Sequence, residues 1–169
     1  MRRLPLAVTE FTLLRRGCLH RPVRLNDWGE ILILNELFSN LAIMPDFKKY
    51  FFLPAPPEDV YAALTNPLAI QLWTGEKAEM STIAGSEFSM WEASILGKNL
   101  EFEEHKKIVQ QWYFDGEDQD SIVTIKLHVD AKGTSMEVRQ SNIPESEYDD
   151  IVEGWNGLYL PALFEFFKE

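Results

Sequence analysis

The stretch Ser121–Lys168, SIVTIKLHVDAKGTSMEVRQSNIPESEYDDIVEGWNGLYLPALFEFFK, decides the fold. Its opening alternates. Val123, Ile125, Leu127 and Val129 fall on one face of a strand, and Thr124, Lys126 and His128 on the other. Lys132-Gly133 is a tight turn signal, after which Met136 and Val138 oppose Glu137 and Arg139. The pattern is a β-hairpin with one covered and one wet face. The period then changes. Glu145, Glu147, Asp149 and Asp150 crowd the start of a helix predicted over 145–168, where the positive end of the helix dipole favours acids. Tyr148, Ile151, Val152, Trp155, Leu158, Tyr159, Ala162, Leu163 and Phe166 make a wide apolar stripe at three-to-four spacing. Such a helix is about 36 Å long at about 1.5 Å per residue, enough to lie across a strongly bent sheet. Pro161 cannot donate to the carbonyl of Gly157, so a kink or break is predicted there.

Upstream, turn chemistry cuts the chain into further strands at Lys107–Phe114, Ser94–Glu103 and Glu87–Trp91, with a weaker candidate over Lys77–Thr82. Lys48–Leu53 reads as the first strand, ended by Pro54. Pro56-Pro57 opens a short helix, Asn66-Pro67 stops it and starts another as far as Trp73, and Thr74-Gly75 ends that one. Strands first, one long helix last, is an α+β layer arrangement. A curved antiparallel sheet gripping a single helix is wider than the helix can fill. The gap is the usual place for an apolar ligand.

Composition bounds the function. The 169 residues, 46% of them apolar, suffice for one well-packed domain. The net charge of −11 argues against nucleic acid and against anionic membranes as partners. The single Cys18 excludes an internal disulfide framework and fits a cytoplasmic setting. No apolar stretch approaches the roughly 20 residues of a membrane span.

The chain changes character between Ile43 and Met44. Residues 1–43 hold six Arg, no Lys and four acids, for +2; residues 44–169 hold nine Lys, one Arg and 23 acids, for −13. The domain is therefore expected over 44–169. Residues 1–43 stand open as a start placed too far upstream, as a poorly ordered or weakly helical extension, or as a targeting segment.

No chemistry-bearing motif stands out. His20, His105 and His128 lack neighbours at metal-ligand spacing, and no phosphate loop, nucleophile elbow or Cys/His pair occurs. Glu101 and Glu103 share a wet strand face, and the DGEDQD run at 115–120 reads as a solvated loop rather than a calcium site. No metal and no cofactor is expected. What remains is an aromatic inventory. Phe88, Met90, Phe102, Trp112, Ile125, Leu127, Met136, Val138, Trp155 and Tyr159 should project between sheet and helix, with a ligand seated between Trp112 and Trp155. Gln110 and Gln140 fall on the same strand faces, where either amide would orient a ligand's polar group.

GSEFSMWEASILGKNLEFEEHKKIVQQWYF (85–114), SIVTIKLHVDAKGTSMEVRQSNIP (121–144) and EGWNGLYLPALFEFF (153–167) resemble the C-terminal domain of the activators of heat-shock protein 90 ATPase. Phe88, Lys107-Ile108-Val109 before Trp112, Gly133-Thr134, Ile143-Pro144 and Gly154-Trp155 with Tyr159 carry the match. The resemblance implies the helix-grip fold of the START and birch-pollen-allergen superfamily. It covers 44–169 and leaves residues 1–43 unmatched. The eukaryotic activators carry a further N-terminal domain that does much of the chaperone binding, and 43 residues of different composition cannot be it. Stand-alone members resemble small bacterial proteins. The resemblance therefore leaves three functions: binding of a small hydrophobic molecule without catalysis, stimulation of a chaperone ATPase in a stress response, or a polyketide cyclase or hydrolase. The expected state is a monomer or weak homodimer.

Overall fold

A computed structural model describes residues 45–114 and 121–168. The sequence-based readings of residues 1–43 and of the 115–120 acidic run lie outside them. Six antiparallel strands form one curved sheet in the order β1-β6-β5-β4-β3-β2. They are β1 (Phe47–Leu53), β2 (Glu87–Met90), β3 (Ile95–Glu103), β4 (Lys107–Trp112), β5 (Ser121–Asp130) and β6 (Gly133–Ser141). Helices α1 (Pro57–Thr65) and α2 (Pro67–Thr74) follow β1. Proline begins each, and the Asn66 side chain caps α2 by accepting from Leu68 and Ala69. Gly75 ends α2 in the left-handed conformation.

The core lies between one sheet face and the helices. Val123, Ile125, Leu127, Met136 and Val138 are all buried, as alternation requires. Val129 is not. It is 85% exposed, near the tip of the β5–β6 hairpin. The register of β3 shifts between Asn99 and Glu101. This bulge turns Asn99 inward to full burial and leaves Leu100 exposed. Gly97 is required by close approach, since a Cβ there would lie 2.1 Å from the Gln111 carbonyl oxygen and 2.7 Å from the Phe88 ring.

Three local expectations need correction. The Lys77–Thr82 candidate makes a single bridge, Glu79 to Ser89, rather than a strand. Trp91 leaves β2 and enters a turn in which Trp91, Glu92 and Ala93 all have positive φ (49°, 51° and 68°). The closing helix is not uniform. A 3-10 turn at Glu145–Glu147 leads into α3 (Tyr148–Glu153), then a π-helical turn at Gly154–Tyr159, then α4 (Leu160–Phe166). The Leu160 amide donates to the carbonyl of Trp155, five residues back. The wide turn absorbs Pro161, whose ring would otherwise strike the Gly157 carbonyl. It also rotates the apolar face, so Leu160, outside the predicted stripe, is fully buried beside Leu163.

Candidate functional site

Two tryptophans anchor the space between sheet and helix. Trp112 ends β4 and Trp155 is the second residue of the π turn; their rings stack at 5.1 Å between centroids, 20° from parallel. Each indole N–H is held by a buried glutamine. Trp155 Nε1 donates to Gln140 Oε1 at 2.8 Å, and Gln140 Nε2 donates to Ser121 Oγ at 3.0 Å. Trp112 Nε1 donates to Gln110 Oε1 at 3.3 Å, and Gln110 Nε2 to Asn99 Oδ1 at 2.9 Å. Asn99 Nδ2 completes the chain by donating to the Ser81 carbonyl oxygen and to Ser86 Oγ. Both glutamine amides, expected to meet a ligand, thus have protein partners and orient the indoles instead.

Tyr159, one turn beyond Trp155, lies 4.5 Å from it between centroids and 5.4 Å from Trp91. Trp91 packs edge-on to Trp73 at 5.2 Å. The ring cluster holds Trp91 in its left-handed turn, a conformation costing roughly 1–2 kcal/mol per non-glycine residue. Tyr159 is 6% exposed, and burial pushes its phenol well above the usual value because the charged form would be desolvated.

Beside this cluster lies a cavity of about 580 Å³, within the range of small-molecule sites. Its walls come from the Trp91–Leu96 turn and strand start, from Trp112–Phe114, and from the helix face carrying Glu147, Asp150, Ile151, Gly154, Trp155, Leu158 and Tyr159. Of the twelve residues expected at a ligand, Trp112, Trp155 and Tyr159 line it. The rest lie elsewhere. Phe88, Met90, Ile125, Leu127, Met136 and Val138 are buried core, Phe102 packs half-buried against that core, and Gln110 and Gln140 sit behind the indoles. The stacked rings leave no slot between them, so the cavity is at their side. Sequence reasoning missed Trp91, Tyr113, Phe114, Ile151 and Leu158; the last two were in the predicted stripe but were not singled out. Among the described residues no group of three or more metal-binding side chains converges.

A family model, Activator of Hsp90 ATPase homolog 1-like protein, matches residues 54–167. The chain belongs to this family. A relative from Dictyostelium discoideum, an activator of 90 kDa heat shock protein ATPase homolog, is 33% identical over 102 residues, 59% of this chain and 27% of its own. The chain spans about a quarter of the length of the curated relatives it matches. The crystal structure of an Hsp90 activator from Plasmodium falciparum superposes with a TM-score of 0.59 at 28% identity, covering 66% of this chain and 87% of that one. The solution structure of the Aha1 dimer from Colwellia psychrerythraea gives 0.65 at 16% identity, over 74% and 97%, a likeness of fold alone.

Proposed function

We propose that this family member binds a small hydrophobic molecule in the cavity between the β2–β3 turn, the end of β4 and the closing helix, without catalysing a reaction on it. The observation carrying this reading is a cavity of ligand size walled by Trp91, Trp112, Trp155 and Tyr159. Buried glutamines fix two of those rings before any ligand arrives, which lowers the ordering cost of binding. Gly154 opens onto the same space, since a Cβ there would meet nothing within 4 Å. The first test is native mass spectrometry of protein purified from its own host, expected to carry an apolar adduct. The second is Nile red, a neutral dye, whose fluorescence should rise with the wild-type protein and not with Gly154→Phe, which fills the cavity. A bare mass together with equal dye response in both proteins would sink the reading.

A second reading follows from the relatives. The activators named above support association with an Hsp90-type ATPase through the acidic surface of residues 44–169. Stimulation of the chaperone's ATPase that fades with salt is the expected result; no binding at low salt would remove it. We also infer a domain beginning near Met44, three residues before β1, in a cytoplasmic protein that is monomeric or weakly dimeric. Sedimentation at several concentrations tests the last point.

A further inference from the structure

We infer that the cavity selects a positively charged hydrophobic ligand, an aryl- or alkylammonium, over its neutral or anionic counterparts; this rests on the binding reading above. The lining contains two carboxylates, Glu147 and Asp150, and no Lys, Arg or His. Both lie on the helix face that continues through Ile151, Gly154 and Leu158, so helical spacing brings them to one end of the same cavity. The dipole alone accounts for acids at this helix start, and Glu145 and Asp149 sit there without lining the cavity. What the dipole leaves unexplained is their company. The remaining wall is aromatic, with Trp91, Trp112, Tyr113, Phe114, Trp155 and Tyr159 bordering the cavity. Trp155 is sandwiched between Phe47 and Trp112, so the other rings are the ones able to turn a face to an occupant. Such a face attracts cations and repels anions.

Tyr159 supplies an independent pointer to a polar ligand group. Among the described residues its hydroxyl makes no hydrogen bond, although the side chain is nine-tenths buried. No described side-chain nitrogen or oxygen is both sealed off and unpartnered. The hydroxyl is therefore not fully sealed off, and Tyr159 is one of the residues that line the cavity. Glu147 and Tyr159 are twelve residues apart, about 18 Å at about 1.5 Å per residue. The occupant is accordingly elongated: an ammonium at the Glu147–Asp150 end, an apolar body along the indoles, and a group that bonds the Tyr159 hydroxyl.

The test is calorimetric titration of the full chain with naphthylmethylammonium, naphthylmethanol and naphthoate, which share one apolar body. The ammonium should bind about tenfold tighter than the alcohol at low salt, and the carboxylate weakest of the three. In Glu147→Gln/Asp150→Asn the ammonium should fall to the alcohol's affinity while the alcohol is unchanged. Asp150→Lys, at an exposed position, should invert the order of ammonium and carboxylate. Equal binding of alcohol and ammonium, or a preference that survives the double variant, overturns the charge inference and leaves the cavity reading standing. No heat and no thermal shift with any probe overturns both.

Discussion

At the scale of single residues, the two glutamines mark where side-chain chemistry departs from strand periodicity. Alternation puts Gln110 and Gln140 on the inner face, and they are there; it says nothing about which atoms they meet. Gln140 spans Ser121 and Trp155, so Gln140→Leu leaves the buried Trp155 indole N–H unpaired, while the Ser121 hydroxyl keeps its bond to the Ser141 carbonyl. The expected loss is about 2 kcal/mol of unfolding free energy, read by urea denaturation, with weaker ligand binding because Trp155 is no longer held. A neutral effect on stability would mean that the orphaned indole N–H finds another partner. Tyr159→Phe behaves oppositely. Removing an unpartnered hydroxyl should leave stability at neutral pH nearly unchanged. The raised phenol makes a pH-dependent contribution of definite sign. Below the ordinary tyrosine value of about 10 the folded and unfolded phenols are both protonated, and the contribution is fully present. As pH rises past it, the unfolded phenol ionises while the buried one does not, so wild-type stability falls. Tyr159→Phe should show a shallower alkaline decline in melting temperature; identical slopes would mean that the phenol is not sequestered.

At the scale of elements, most of the architecture was legible because it rests on short-range rules. Prolines opened α1 and α2, alternation placed β5 and β6, and acids marked the start of the closing helix. The failures share a cause. Each is an irregularity inserted into a regular period: the bulge at Asn99, the left-handed turn at Trp91–Ala93 and the π turn at Gly154–Tyr159. Pro161 announced a break without revealing that the helix would widen rather than bend. The turn and the widened helix line the cavity, which is why a reading based on inward-facing positions found the core and named few of the residues that line the cavity. Alternation identifies the covered face, but not where along that face the helix stops filling it. The turn makes its own prediction. Glu92 is exposed at φ 51°, a conformation glycine adopts freely, so Glu92→Gly should raise stability by about 0.5–1 kcal/mol. A loss would show that the Trp73–Trp91–Tyr159 cluster already holds the turn without strain.

At the scale of the whole molecule, charge and cavity make opposing demands on salt. Residues 44–169 hold ten cations against 23 acids, so even complete pairing leaves thirteen negative charges to repel one another. The described ion pairs, such as Arg139 with Asp46 and Lys106 with Glu103, lie at the surface, where each contributes little. Screening therefore relieves more repulsion than it removes attraction, and the melting temperature should rise with sodium chloride from low to physiological ionic strength. Binding of naphthylmethylammonium should weaken over the same range, because its selectivity draws on Glu147 and Asp150. The two slopes have opposite signs, which separates them from any general effect of salt on apolar burial; such an effect would strengthen folding and ligand binding together. A melting temperature that falls with salt would mean that pairs such as Lys48 with Glu137 outweigh the excess of acids.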